Sequence, residues 1–167
     1  MAVTGAARVD VSQAFFPTGT MGDWGDVSMD ERSTDNPHSS PDCIKITYSA
    51  AQSEGKGFAG VCWQYPDSNT GDQPGRRDLV GSTTFTFWAR GALGGETAEF
   101  KVGGGPSESI QPAATTGAVT LSKDWQQYTI DLAGKDTGNV VSGFCWTTTK
   151  DQNPYGCTIY LDDITYE

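Results

Sequence analysis

Aromatic and polar side chains alternate along one short stretch of the sequence, close to residue 60. In an extended strand Val61, Trp63 and Tyr65 lie on one side, and Cys62 and Gln64 lie on the other. This pattern fits a core strand, because buried tryptophan and tyrosine are common. It also fits a sugar-binding face, where an aromatic ring covers the flat side of a pyranose and neighbouring polar groups reach its hydroxyls. The sequence leaves both readings open.

Other strands add further candidates for contact with such a ligand. Trp88 and Trp146 lie in alternating segments, and we expect at least two of the four aromatic candidates to be core residues. Glu99 and Lys101 share a face opposite apolar neighbours, so that face is either an ordinary solvated surface or the floor of a groove. The complete set of candidate ligand-binding residues is Trp63, Gln64, Tyr65, Arg76, Trp88, Arg90, Glu99, Lys101 and Trp146.

Catalytic groups are harder to find in the sequence. A glycosidase needs two carboxylates facing one cleft, roughly 5–10 Å apart. Glu96 and Glu99 have an odd separation, which places them on opposite faces of a strand. Asp162 and Asp163 fail for the same reason unless a bulge intervenes. His38 is the single histidine, it lies in a polar segment, and we expect it to be a solvated loop residue. We therefore predict no catalytic residues and no enzyme.

An acidic segment at 21–42 raises the alternative of metal binding. Ca²⁺ takes six to eight oxygen ligands from carboxylates and carbonyls. This segment and the pair Asp162-Asp163 could converge if the terminal strands are neighbours; otherwise the segment is a solvated acidic loop. The candidate ligands for one structural Ca²⁺ are Asp23, Asp26, Asp30, Asp42 and Asp162.

Size and composition limit the alternatives. The chain has 167 residues, 21 of them glycine, and only 19% of its residues are charged, which favours one all-β domain. We expect residues 1–8 to be a cloning or linker remnant and residues 9–167 to form that domain. The formal net charge of −10 argues against nucleic-acid and anionic-membrane partners and disfavours acidic polysaccharides, whereas neutral glycans remain open.

The cysteine pattern favours an exported protein. Cys43, Cys62, Cys145 and Cys157 are widely spaced and form no CxxC pair, so a zinc ribbon is not expected. One or two disulfides would fit an oxidising compartment, and four buried thiols are the alternative. Of the pairings that four cysteines allow, we favour Cys62–Cys157.

Eight to ten short strands separated by turns predict a two-sheet antiparallel β-sandwich. Residues 21–41 carry no clear alternation and are expected to be irregular. In the last strand Ile164 falls out of step with Leu161, and a bulge near Asp162-Asp163 would restore the alternation.

Several segments, taken together, resemble carbohydrate-binding modules with the galactose-binding-like jelly roll. They are Phe58-Ala59-Gly60-Val61, Trp63-Gln64-Tyr65-Pro66, Phe85-Thr86-Phe87-Trp88-Ala89-Arg90-Gly91, Trp125-Gln126-Gln127-Tyr128, Gly143-Phe144-Cys145-Trp146 and Tyr160-Leu161-Asp162-Asp163-Ile164. The resemblance implies a non-catalytic module attached to a secreted, often polysaccharide-degrading, bacterial protein. It also often implies a structural Ca²⁺ near the chain ends.

These observations lead to one expectation about function and two alternatives. We expect a secreted module that holds a linked catalytic domain on a neutral polysaccharide, a β-glucan or a hemicellulose, with no nucleic-acid or membrane partner. The alternatives are a small polysaccharide hydrolase or lyase, and an adhesive or structural sandwich with a protein partner. The identity of the glycan and its linkage do not follow from the sequence.

Overall fold

Two antiparallel sheets pack face to face in the computed structural model, which describes residues 8–103 and 113–167. Apart from Arg8, the expected remnant at the N-terminus lies outside the described residues. The strands are β1 (Val9–Asp10), β2 (Phe16–Gly22), β3 (Val27–Ser33), β4 (Cys43–Tyr48), β5 (Phe58–Gln64), β6 (Thr84–Gly91), β7 (Thr97–Val102), β8 (Ala114–Thr120), β9 (Gln126–Asp131), β10 (Ser142–Thr149) and β11 (Cys157–Tyr166), with a short helix α1 (Val11–Ala14) and a 3₁₀ turn (Trp24–Asp26).

The strand order confirms the predicted all-β sandwich. The six-stranded sheet runs β3-β4-β11-β6-β9, with β1 paired to β11, and the five-stranded sheet runs β2-β5-β10-β7-β8. The connections β2–β3, β4–β5, β6–β7, β8–β9 and β10–β11 gather at one end of the sandwich, which we call the Trp24 end. In the part of the chain that the structure describes, no helix has the length and apolar character needed to cross a membrane.

Strand alternation explains where the core lies. One face of each strand carries apolar residues that meet between the sheets, while the residues between them face outward. Aromatic side chains dominate this core, and full burial of such a side chain contributes about 1.5–3 kcal/mol. The largest fully buried members are Trp63, Trp146, Tyr48, Tyr166, Phe85, Phe87, Phe100 and Phe144.

Two local predictions about the N-terminal third were wrong. The alternation of Val9, Val11 and Phe15 predicts a first strand over Val9 to Phe16. That strand is interrupted by α1, which the Asp10 carboxylate caps by accepting from Ser12 N at 2.8 Å. The region expected to be irregular contains β3, in which only Val27 and Met29 pack against the core. An edge strand with so few apolar residues gives a weak alternation signal.

The predicted bulge in the last strand is confirmed. The register of β11 against β6 shifts between Asp162 and Thr165, and Asp163 has a φ of 49°. The extra residue allows both Leu161 and Ile164 to face the core.

The disulfide joins Cys62 to Cys145, so the predicted pairing with Cys157 was wrong. Cys62 and Cys145 lie directly opposite each other on β5 and β10, with Cα atoms 4.1 Å apart. Cys157 belongs to the six-stranded sheet, and the core separates it from the outer face on which Cys62 lies. Cys43 and Cys157 are free thiols.

Candidate functional site

The outer face of the five-stranded sheet is a regular surface formed mainly by β2, β5, β10 and β7. Its centre is the Cys62–Cys145 disulfide, with Lys101 beside Cys145 in the neighbouring strand. The next row toward the Trp24 end contains Met21, Gly60, Thr147 and Glu99, one from each of four adjacent strands. Because Gly60 has no side chain, the Met21 methyl group packs over it, 2.7 Å from where a Cβ would lie. The floor is therefore sulfur-rich and apolar, with hydroxyl and charged groups around it.

A pocket of about 220 Å³ lies at the end of this face away from Trp24. Gln64 is buried there, and its Oε1 accepts a hydrogen bond from the Thr18 hydroxyl at 3.2 Å. The Thr18 hydroxyl in turn accepts from the backbone N–H of Ser68 at 2.8 Å, which fixes the amide in the pocket. A side chain at Gly19 would displace the Gln64 amide, since a Cβ there would lie 2.7 Å from Gln64 Nε2. The lining residues are Thr18, Gly19, Thr20, Met21, Cys62, Gln64, Ser68, Thr70 and Ser142.

Two of the four predicted charged residues, Glu99 and Lys101, lie together on this face. Lys101 Nζ is 3.1 Å from Glu99 Oε1, and both side chains are partly exposed. A pair of this kind contributes about 0–1 kcal/mol to stability, so its hydrogen-bonding capacity remains available to a ligand at little structural cost. The prediction that Glu99 and Lys101 lie opposite the apolar face of β7 is confirmed.

The prediction that Trp63 or Trp146 forms an aromatic platform was wrong. Trp63 and Trp146 are both 0% exposed, because they point into the core rather than toward the disulfide face. Tyr65 is only partly buried, and the guanidinium of Arg77 lies over its ring at 3.8 Å. The expectation that at least two of the aromatic candidates are core residues is confirmed.

Trp88 lies on the outer face of the six-stranded sheet, away from the disulfide face. The His38 ring stacks on the Trp88 ring with centroids 3.9 Å apart, and His38 Nδ1 is 2.7 Å from Asp163 Oδ2. The expectation that His38 is a solvated loop residue is confirmed, since it is an exposed residue of the β3–β4 connection, and its ring also packs against the sheet. The stacked imidazole occupies the surface of Trp88 that a sugar ring would need.

Arg90 lies on the same covered face. Its guanidinium stacks on Tyr160 at 3.7 Å, lies 5.3 Å from the Trp125 ring, and donates to the backbone carbonyl of Asp35 at 2.8 Å. Trp125 Nε1 donates to the carbonyl of Asn36 at 2.9 Å. These contacts hold the β3–β4 connection against the sheet, so Arg90 does not join Glu99 and Lys101.

Arg76 lies apart from both the Glu99–Lys101 pair and Arg90, in the connection between β5 and β6. It lines an open cleft of about 740 Å³ with Asp72, Asp78 and Asn139, at the end of the sandwich opposite Trp24. The structure thus divides the predicted ligand-binding residues. It brings together Gln64, Glu99 and Lys101 on one face.

The five aspartates predicted to bind Ca²⁺ do not form one set. Asp23 and Asp26 lie beyond the Tyr48 end of β4, whereas Asp162 lies near Ile44 at its other end, about 15 Å away along the strand. Asp30 lies in β3, and its carboxylate accepts from Arg32 N. Within residues 8–103 and 113–167, no group of three His, Cys, Asp or Glu is placed to hold a metal ion. The calcium ion itself stays a prediction.

Asp42 and Asp162 do meet, in a small cavity of about 60 Å³ that is also lined by Asp10, Glu31 and Asp163. Burial raises the pKa of Asp162, although the N–H groups of Ser39 and Asp163 oppose that change. Both Asp162 oxygens already accept hydrogen bonds, at 2.8 Å from Ser39 and at 2.9 Å from Asp163.

Asp23 has a structural role that the sequence did not reveal. The Asp23 carboxylate is fully buried and accepts hydrogen bonds from the backbone N–H groups of Glu54, Lys56 and Gly57 at 2.7–2.9 Å. Burial favours a higher pKa, but the three N–H donors outweigh it and lower the pKa of Asp23 below its usual 3.8. Asp26 accepts from Gln52 N and Ser53 N in the same connection. These two carboxylates fix the β4–β5 connection.

The sequence-based prediction missed much of the outer face, because the aromatic residues Trp63 and Tyr65 favoured the opposite side of β5. The face contains Met21, Gly60 and Thr147 as well as the disulfide. The signal was present in the alternation, since Phe58, Gly60, Cys62 and Gln64 share one side of the strand.

Comparisons with known proteins identify the fold. The sequence matches no protein-family model and no curated protein. Among solved structures, a family 30 carbohydrate-binding module of a cellulosomal cellulase of Clostridium thermocellum superposes with a TM-score of 0.67 and 15% identity, covering 96% of this chain and 97% of that chain.

Two further structures give the same result. A family 11 carbohydrate-binding module from Clostridium thermocellum, in complex with a β-1,3-1,4-mixed-linked tetrasaccharide, matches with a TM-score of 0.64 and 11% identity over 99% of this chain and 96% of its own. A point variant of a family 29 carbohydrate-binding module matches with a TM-score of 0.54 and 11% identity over 97% and 92%. The chain therefore has the β-jelly-roll fold of these modules.

Proposed function

We propose that this protein is a non-catalytic carbohydrate-binding module, and that the outer face of its five-stranded sheet binds a neutral polysaccharide. The observation that carries the proposal is the composition of that face. Amide, hydroxyl and charged groups surround a floor made of Met21 and the Cys62–Cys145 disulfide. A sugar chain has the same two properties, apolar C–H surfaces and a rim of hydroxyls. The fold supports the proposal because it is shared with sugar-binding modules.

The buried amide of Gln64 gives the face a fixed hydrogen-bonding group. Thr18 orients its Oε1, so its N–H₂ group can donate to a ligand hydroxyl without reorganisation. Glu99 accepts and Lys101 donates further along the sheet. Each hydrogen bond to a sugar replaces one to water, so its net contribution is only about 0.5–1.5 kcal/mol. Several such bonds correspond to dissociation constants of about micromolar to millimolar.

The proposed ligand class is a β-glucan or a hemicellulose. The net charge of −10 disfavours acidic glycans, and a module of the same fold is known in complex with a mixed-linked β-1,3-1,4 tetrasaccharide. We propose secretion and a linked catalytic domain as parts of the same function. The disulfide supports an oxidising compartment, since such bonds rarely persist in the cytosol.

Affinity-gel retardation on β-glucan, xylan, xyloglucan and mannan tests the proposal. We expect retardation of the wild type on at least one gel and a reduction of about two- to tenfold in affinity in Gln64→Ala. Gln127→Ala is the matched control, because Gln127 is an exposed residue of β9 on the outer face of the other sheet. Absence of retardation on every glycan overturns the proposal. Release of reducing sugar from any of them would indicate a hydrolase or lyase instead.

A further inference from the structure

We propose that Trp24 and Phe58 form an aromatic subsite for a sugar ring at the Trp24 end of the glycan-binding face. This inference rests on the proposed function, and it adds the stacking residues that the middle of that face lacks. Phe58 lies at one end of β5, and Gln64 lies at its other end. The two ends are about 20 Å apart at the usual rise of a strand. A glycan chain lying along β5 would reach both.

The position of Phe58 follows from strand alternation. Phe58 lies on the same side of β5 as Cys62 and Gln64, opposite Thr149 of β10, and is 40% exposed. Its ring lies against the backbone of Gly22, where a Cβ would come within 2.8 Å of the ring. Gly22 has a φ of 61°, so glycine is favoured there for two reasons. One edge of the ring is therefore supported and the rest remains accessible.

Trp24 is held next to this position by a rigid frame. The backbone N–H of Asp23 donates to the Phe58 carbonyl at 2.7 Å, which ties the 3₁₀ turn to the start of β5. The buried Asp23 carboxylate binds three N–H groups of the β4–β5 connection. Trp24 itself is 55% exposed. The backbone that carries this exposed ring is fixed by hydrogen bonds, so little backbone entropy remains to be lost when a ligand binds.

The other tryptophans cannot supply this surface. Trp63 and Trp146 are in the core, and His38 covers Trp88. Trp125 is engaged with Arg90 and with the Asn36 carbonyl. An exposed indole and an exposed phenyl ring provide the flat apolar surface that the C–H side of a pyranose requires. The chemical class of ligand for this subsite is therefore a pyranose unit of the bound glycan.

Isothermal titration with soluble oligosaccharides of the best-bound glycan tests this assignment. We expect Trp24→Ala and Phe58→Ala each to weaken binding about tenfold while the melting temperature stays within a few degrees of the wild type. Val80→Ala is the control, because Val80 is 70% exposed but lies in the β5–β6 connection at the opposite end. Unchanged affinity in both aromatic variants overturns the inference.

Fluorescence quenching gives a second, independent readout. Acrylamide quenches exposed tryptophan, so saturating oligosaccharide should reduce quenching in the wild type. Trp24→Phe should lose this protection and still bind the sugar, since a phenyl ring can also stack. Binding without protection of any tryptophan contradicts the subsite and leaves the proposed function intact. Absence of glycan binding by the wild type overturns the proposed function, and the subsite with it.

Discussion

The tryptophans of this chain differ in burial and therefore in their contribution to stability. We expect Trp63→Ala to lower the free energy of unfolding by about 3–5 kcal/mol, because the residue is fully buried among aromatic neighbours such as Phe144. Trp24→Ala, at an exposed site, should change it by no more than about 0.5 kcal/mol. Urea denaturation of both variants measures the contrast. Equal losses of stability would contradict the assignment of Trp63 to the core.

A second prediction at this scale concerns acid stability. The pKa of Asp23 is lower in the folded protein than its usual 3.8, so its stabilising effect is fully present above about pH 4. The effect is lost as pH falls through the lowered folded-state pKa. We expect Asp23→Asn to be least stable relative to the wild type at pH 7, with the gap closing toward pH 2.

Urea denaturation across that pH range measures the effect. Asp30→Asn is the control, because Asp30 lies on an exposed edge strand and its carboxylate accepts from only one local backbone N–H. A constant gap between Asp23→Asn and the wild type from pH 7 to pH 2 would show that Asp23 does not act through its charge.

At the scale of elements, the bulge in β10 brings a glycine against the core. The register shifts between Ser142 and Phe144, and Gly143 then faces the ring of Phe15, 2.7 Å from where a Cβ would lie. The Tyr166 hydroxyl also donates to the Gly143 carbonyl at 2.5 Å, which limits backbone movement. We expect Gly143→Ala to cost about 1–3 kcal/mol of stability by overpacking.

Chemical denaturation checks this value against Gly138→Ala. A Cβ on Gly138 would meet only Asp136 and Val80, at 3.3 and 3.4 Å, so a near-neutral change is expected. If Gly143→Ala is as stable as the wild type, the bulge can relax and the packing argument for it fails.

At the scale of the whole molecule, one covalent link joins strands far apart in sequence. Cys62 and Cys145 are 83 residues apart, and closing a loop of that length contributes about 4–5 kcal/mol in the chain-entropy model. We expect the double variant Cys62→Ala/Cys145→Ala to lose about 2–4 kcal/mol, because residual structure in the unfolded chain reduces the effect. The double variant Cys43→Ala/Cys157→Ala breaks no covalent link, because both residues are free thiols. Any loss of stability in that variant should therefore arise from packing alone.

The two remaining thiols should be inert while the protein is folded. Burial, with Asp162 adding to it, raises the pKa of Cys43 to about 11. Burial together with the nearby Glu96 raises the pKa of Cys157 to about 12. At pH 8 few thiolates form, so alkylation should be slow in buffer and should reach two thiols in denaturant without reductant. Mass spectrometry that finds four alkylated thiols without reductant would refute the disulfide.

Calcium remains a prediction for the whole molecule. If a structural Ca²⁺ is bound, excess chelator should lower the melting temperature by several degrees, because an ion that binds only the native state stabilises it by mass action. Elemental analysis of the dialysed protein and melting with and without EDTA measure this. Unchanged melting together with no metal would contradict the prediction.

The sequence by itself determined the fold class and, for most strands, which residues share one side of the strand. Alternation placed Ala98, Phe100 and Val102 opposite Glu99 and Lys101, and the break in phase after Leu161 located the bulge. These are local properties, because neighbouring residues of a strand must face opposite sides.

The tertiary structure decided which side of each strand faces the core and which residues meet. Alternation cannot distinguish the inner face of β5 from its outer face, because tryptophan suits both a core and a sugar platform. The pairing of Cys62 with Cys145 depends on β5 and β10 being neighbours. The stacking of His38 on Trp88 depends on where the β3–β4 connection packs against the sheet. Such contacts between distant segments follow from how the sheets assemble, which local patterns do not record.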